Sequence, residues 1–378
     1  MDTFTAIACL FGIAAMLSFI NDRYLRLQHD IGLLLLAVLI TAALRVLEVF
    51  IPSGFIGLLH QLTQSLNLND TLLKGVLCFL LFRGSLRVSW IALREQRWLV
   101  LWLAFAGTAM ACLLTGGLVY GGLSLFGVTT TLAQSLLFGA LIAATDPVAA
   151  LAILSKIGLP KNLETVVDGE SLLNDGVAVV FFTIFAGTAI NGSDASLAEA
   201  GSIFMHEVLG GATMGVVGWL VIHYLMLRST TFCTGLLVSL GAVASMYATA
   251  QHLDISGPIA TVVAGLLTGN ITGPRLSEAT LAPLRTFWSG LDEVLNALLF
   301  VFVGFHVVLI NPLQGIVPGV PGLVAIIAVL LARALTVSSI VGGLNTAGVI
   351  RNNWGQSKVI FKFKLTPVIF LDILILTV

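Results

Sequence analysis

Charge is scarce in this chain. Only 10% of its 378 residues are Asp, Glu, Lys or Arg, while 58% are hydrophobic and the mean hydropathy is +1.04. An ordinary soluble domain carries about 25% charged residues. So little charge cannot cover a water-facing surface of this size, which excludes soluble globular, disordered and coiled-coil classes. Neither sign is in excess: 18 Lys and Arg stand against 19 Asp and Glu. That balance leaves no broad basic surface for nucleic acid. The four cysteines, Cys9, Cys78, Cys112 and Cys233, lie singly in apolar runs without a Cys-x-x-Cys pair, so neither a disulfide framework nor a zinc site is expected. The histidines are equally scattered, and no transition metal or other cofactor is expected. Glycine, by contrast, is abundant at 38 residues. Without a fixed period it excludes collagen-like repeats and suits close helix packing in a bilayer. What remains is an all-α, polytopic membrane protein embedded in lipid.

A spanning helix needs about 20 mostly apolar residues, and on that measure the chain divides into about twelve segments. They run near 4–20, 31–51, 70–86, 98–118, 133–155, 169–190, 206–227, 232–250, 256–271, 289–310, 321–343 and 359–378. The first lacks a basic leader and a small-residue cleavage pattern, so it reads as a retained span rather than a signal peptide. Lys and Arg fall on alternate loops: Arg23 and Arg26, then Arg87, Arg94 and Arg97, then Lys156 and Lys161, Arg228, Arg275 and Arg285, and finally Arg351, Lys358, Lys362 and Lys364. This bias assigns those loops to the cytoplasm and the N-terminus to the outside. Arg45 and Arg333 sit well inside apolar segments, where a charge is costly and marks a candidate functional residue.

The densest polar constellation occupies two adjacent spans. One carries Thr145-Asp146-Pro147 in the middle of an apolar run. Proline lacks an N–H and clashes with the carbonyl four residues back, so the helix is expected to break there. A break at membrane depth is tolerable only where the freed backbone lines a cavity or coordinates an ion. The next span opens Asp168-Gly-Glu-Ser-Leu-Leu-Asn-Asp-Gly. Helical spacing stacks Glu170 on Asn174 and Ser171 on Asp175, two neighbouring pairs on one face. A hydroxyl one turn from a carboxylate suits a small dehydrated cation, since hard cations want oxygen ligands. Asp168 is left out of the site as an acid in the first turn of a solvated helix end. Asp175 does not fit that reading, because the apolar run from Val177 to Ile190 carries the helix into the membrane.

Together, Thr-Asp-Pro-Val-Ala and Gly-Glu-Ser-Leu-Leu-Asn-Asp-Gly closely resemble the sodium/proton exchangers of the monovalent cation:proton antiporter-1 family. Phe79-Leu-Leu-Phe, Arg94-Glu-Gln-Arg-Trp, Ser256-Gly-Pro-Ile-Ala, Asp292-Glu-Val-Leu-Asn and Leu331-Ala-Arg-Ala-Leu extend the resemblance over residues 1–345. It implies an inverted-repeat antiporter fold, a homodimer, and a cation/proton antiporter domain over 1–345. It also implies that Asp175 alternately holds a proton or sodium, with Asn174 its neighbour and Thr145, Asp146 and Ser171 as further oxygen ligands or supports. Glu170 would pair with Arg333. Lithium and potassium are the other cations such a site could take. Related electrogenic exchangers carry two adjacent aspartates where this chain has Asn174-Asp175, so the resemblance implies electroneutral exchange. Residues 346–378 depart from the family pattern and are read as an atypical, truncated or frame-shifted segment. That departure keeps a non-transporting scaffold or paralogue as the alternative. An intramembrane aspartyl protease built on Asp146 and Asp175 is disfavoured, because its Tyr-Asp and Gly-x-Gly-Asp contexts are absent.

Overall fold

A computed structural model of the chain describes residues 3–50, 54–65, 74–144, 161–191, 197–309 and 319–346, and among these every regular element is helical. Among the described residues, eight helical stretches are long and apolar enough to cross a membrane: Phe4–Leu25, His29–Glu48, Arg97–Leu125, Val166–Ala189, Gly201–Arg228, Phe232–His252, Glu278–His306 and Pro321–Ile340. The expected spans near 70–86, 133–155 and 256–271 correspond to shorter described helices, Lys74–Arg87, Leu132–Ala143 and Gly257–Leu267. The expected last span, 359–378, lies outside the described residues, as does the whole atypical segment beyond Thr346. The stretch 51–70, read from sequence as a loop, contains a further helix, Phe55–Ser65.

The chain forms two compact units. Unit 1 comprises Met1–Arg83, Ser229–Leu240 and Leu276–Val317. Its core is built on α1 (Thr3–Ile20), α2 (His29–Phe50), α3 (Phe55–Ser65) and a long late helix, Glu278–Leu309, numbered α13 below. Leu298, Val301, Phe302 and Phe305 of that helix pack against Leu33 and Ala37 of α2, against Leu10 and Leu17 of α1, and against Leu62 of α3. Trp288 is fully buried against Phe82, with ring centroids 4.9 Å apart, and donates its indole N–H to the Ser239 hydroxyl at 3.3 Å. Arg45 is half-buried on α2 in this unit.

Unit 2 comprises Gly84–Arg228, Gly241–Arg275 and Pro318–Val378. Its helices are the end of α4 (Lys74–Arg87), then α5 (Trp90–Glu95), α6 (Arg97–Leu101), α7 (Thr108–Leu125), α8 (Leu132–Ala143), α9 (Lys161–Asn191) and α10 (Leu197–Arg228). The second half of α11 (Phe232–His252), α12 (Gly257–Leu267) and α14 (Gly319–Thr346) complete it. Here α9 packs against α6, α7, α8, α10 and α12, and α14 packs on α7. Small residues set the approach of α7 and α8. A methyl group at Gly139 would collide with the Cys112 carbonyl, and one at Gly116 would lie 2.8 Å from the Leu136 Cα. Close backbone approach of this kind is how helices associate where no water drives them together.

Between α12 and α13 the chain passes through a π-helical turn, Thr268–Thr272. Asn270 in that turn accepts from the Trp90 N–H at 2.7 Å and donates to the Val88 and Leu266 carbonyls at 2.8 Å each. Thr272, also in the turn, receives the Trp219 indole N–H at 3.1 Å and lies 2.9 Å from His223 Nδ1. The Asn270 side chain of the turn thus satisfies backbone groups at the α4–α5 connection, and its Thr272 hydroxyl meets two side chains of α10.

Candidate functional site

The site is built on the ends and middles of three helices of unit 2. Helix α8 begins with a capping box, in which the Thr131 hydroxyl accepts from the Gln134 N–H at 3.2 Å and the Gln134 side chain accepts from the Thr131 N–H at 3.1 Å. Such reciprocal capping satisfies two otherwise orphaned donors. The helix stops at Ala143, and Ala144 is extended, with φ −66° and ψ 140°. Thr145, Asp146 and Pro147 follow at once. They lie outside the described residues, as does the remainder of the expected helix break.

Helix α9 carries Glu170, Ser171, Asn174 and Asp175 on consecutive turns. Asn174 is fully buried and Ser171 nearly so, whereas Glu170 and Asp175 are partly buried. The Asn174 amide donates to Glu170 Oε1 at 3.0 Å, the i,i+4 contact that helical spacing dictates. Gly176 admits helix α12: a methyl group there would sit 2.7 Å from Ile259 Cγ1. The start of α12 is fixed by Ser256, whose hydroxyl accepts from the Ile259 N–H at 3.4 Å, with Pro258 in the first turn.

Arg333, from the middle of α14, reaches into this region. Its Nη2 lies 3.5 Å from Glu170 Oε1, and its Nη1 lies 3.5 Å from the carbonyl of Ala143, the last residue of α8. The side chains are 20% and 16% exposed, so the pair sits largely out of water. One guanidinium therefore faces a carboxylate and the negative end of a terminating helix, where a cation is favoured. This ties α8, α9 and α14 together through a single side chain. Glu170 consequently has two partners in hand, Arg333 and Asn174.

The sequence signature of the family described as "Sodium/hydrogen exchanger, transmembrane" matches residues 52–369. The chain belongs to the sodium/hydrogen exchanger family. Among its relatives, the Na(+)/H(+) antiporter NhaP of Pseudomonas aeruginosa is 34% identical over 306 residues, covering 80% of this chain and 72% of that protein. The Na(+)/H(+) antiporter NhaH of Halobacillus dabanensis is 31% identical, covering 78% of this chain and 73% of the relative. The structure of the sodium proton antiporter MjNhaP1 from Methanocaldococcus jannaschii superposes with a TM-score of 0.74 at 19% identity, covering 100% of this chain and 94% of that one. That likeness shows the antiporter fold; the apolar helices and the family membership make this an integral, multi-pass membrane protein. The family match runs to residue 369, past residue 345 where the recognisable motifs end.

Three features of this exchanger were not visible in its sequence. Asp168, set apart from the site as a solvated helix-end acid, lies 3.5 Å from Arg87 Nη2 in an exposed contact. The Ala143 carbonyl facing Arg333 is a backbone atom; Pro147, four residues on, lacks the N–H that would bond it, but nothing in the sequence says that Arg333 takes its place. Glu207, on α10, is a carboxylic acid only 8% exposed. Its place inside an apolar span is readable in sequence, but nothing there distinguishes it from an acid at a wetted helix end.

Proposed function

We propose that this protein exchanges one sodium ion for one proton across the cell membrane, serving pH and sodium homeostasis, with Asp175 as the group that carries either ion. Its membership of the sodium/hydrogen exchanger family supports secondary transport, and its relatives named as Na(+)/H(+) antiporters support these two ions. The observation that carries the residue assignment is the place of Asp175 on α9, partly buried beside the fully buried Asn174 and one turn beyond the buried Ser171 hydroxyl. Glu170, one turn before Asn174, is engaged by Arg333 and Asn174 and serves as a structural partner.

Low dielectric penalises an ionised carboxylate unless a proton or a cation neutralises it. Proton and sodium therefore compete for one group. Ser171, one turn before Asp175, and Thr145 and Asp146, just past the end of α8, supply further oxygen ligands suited to a hard cation. Alternating exposure to the two faces lets each ion load on a different side. Lys and Arg on alternate loops support an N-terminus outside and the Arg87, Arg228 and Arg275 loops in the cytoplasm.

The test is cation-dependent proton flux in proteoliposomes. A sodium gradient is expected to drive proton movement in the opposite direction, with lithium and potassium compared in parallel. Absence of flux with all three cations from folded, inserted protein overturns the reading and favours a non-transporting scaffold.

A further inference from the structure

Glu207 is the acid that the exchange reading leaves unexplained. It lies inside the apolar stretch Gly201–Arg228 of α10 and is only 8% exposed. Neither of the described ion pairs, Arg87–Asp168 and Arg333–Glu170, includes it. No hydrogen bond reaches its carboxyl group among the described residues. A buried carboxylate without a partner is expensive: it stays neutral by holding a proton, or it waits for a cation. Nothing in the packing of α10 demands an acid at this position, because its neighbours Gly210 and Gly211 already provide the close contact with the segment that starts α12. A methyl group at Gly211 would lie 2.6 Å from the Ser256 carbonyl, and one at Gly210 would lie 2.5 Å from Ile255 Cγ2.

That segment brings a second carboxylate. The Ser256 N–H donates to the Glu207 carbonyl at 3.3 Å, which fixes residues 254–256 against this turn of α10. Helix α11 ends there in a reversed turn, with the Ile255 N–H bonded to the Ala250 carbonyl at 3.0 Å and Asp254 in the left-handed region at φ 52°. Glycine is the usual residue at such a helix end; here it is an exposed aspartate, two residues before the Ser256 N–H that bonds the Glu207 carbonyl. The imidazoles next in the chain to these two acids, His206 on α10 and His252 on α11, are both exposed. Ile259 of α12 lies against both helices: a methyl group at Gly211, one turn beyond Glu207, would sit 3.2 Å from its Cβ, and one at Gly176, the neighbour of Asp175, 2.7 Å from its Cγ1.

We propose that Glu207 and Asp254 form a second acidic site that takes a proton or a small monovalent cation and supplies Asp175 from one face only, that of the α11–α12 turn. In the topology given above this face is the outer one. Neighbouring acids focus the field and raise the local cation concentration by about tenfold or more. The exposed Asp254 gathers cations from water, and the buried Glu207 exchanges its proton for one of them before transfer inward.

The inference rests on Asp175 being the exchange group, so the experiment includes Asp175→Asn in the same membranes. The readout is the KM for sodium in right-side-out and in inverted vesicles, followed by a pH-sensitive dye. Glu207→Gln is expected to raise the right-side-out KM about tenfold relative to the inverted one, and Glu207→Asp to recover part of that ratio. Asp254→Asn, at an exposed turn that it does not hold together, is expected to shift the ratio in the same direction by less. An unchanged ratio for Glu207→Gln, or equal shifts on both faces, overturns the proposal. Should Glu207→Gln fail to insert, Asp254→Asn decides: a one-sided shift supports the site and a wild-type ratio overturns it. Flux surviving in Asp175→Asn would instead remove the exchange reading itself, a result independent of the KM ratio.

Discussion

Removal of the Arg333 guanidinium would strand Glu170 beside the end of α8. The two charges lie 3.5 Å apart with side chains 20% and 16% exposed, a separation worth about 5 kcal/mol of Coulomb energy at an effective dielectric near 20. Desolvation of both ions offsets part of that, and breaking one partner of a buried pair typically costs about 3–5 kcal/mol. The residual exposure and the long contact place Arg333→Ala toward the lower end, at about 3 kcal/mol. Glu170→Gln in the same protein removes the stranded charge while keeping an oxygen for the Asn174 amide, so the double variant should regain at least about 1 kcal/mol. Arg333→Lys should fall between, because an ammonium cannot face the Glu170 carboxylate and the Ala143 carbonyl with the geometry of a planar fork. The assay is a double-mutant cycle on unfolding midpoints in detergent micelles. Additive losses, within about 0.5 kcal/mol, would refute the coupling.

Two further outcomes follow from the geometry. With Asn174 unable to titrate and Glu170 held by Arg333, exchange should be one-for-one and unaffected by a potassium diffusion potential set with valinomycin; a sodium-driven proton flux that shifts with imposed voltage would mean a second charge moves. Gly139→Ala should destabilise the protein by about 1–3 kcal/mol through overpacking against the Cys112 carbonyl, whereas Gly117→Ala, with nothing within 4 Å of the added methyl, should leave the unfolding midpoint unchanged or slightly raised.

Much of this organisation is legible in the residues themselves. Apolar length delimits most of the described helices. The end of α8 at Ala143 agrees with Pro147, which lacks the N–H that would bond the carbonyl four residues back, and the chain is already extended at Ala144. The Glu170–Asn174 contact follows from four-residue spacing; the cost of a lone charge at depth says that Arg333 needs a partner, and the family resemblance points to Glu170. What sequence hides is set by tertiary contact. The π-helical turn at Thr268–Thr272 depends on partners as distant as Trp90 and Trp219, which no local pattern reveals. The helix Phe55–Ser65 is too short and too mixed in polarity to register as a span. The close crossing of α7 on α8 needs Gly116 and Gly139 together, and among so many glycines neither stands out. Burial of Glu207 arises only when the start of α12 docks on α10.

The central claim is that one carboxylate, Asp175, carries both ions. Its most direct test is sodium-driven proton flux by purified Asp175→Asn in proteoliposomes, with insertion and unfolding midpoint checked against the unmodified protein. An amide of the same shape cannot trade a proton for a cation, so flux should fall to the level of empty liposomes while the protein remains folded. Flux at the unmodified level from folded Asp175→Asn would contradict the account.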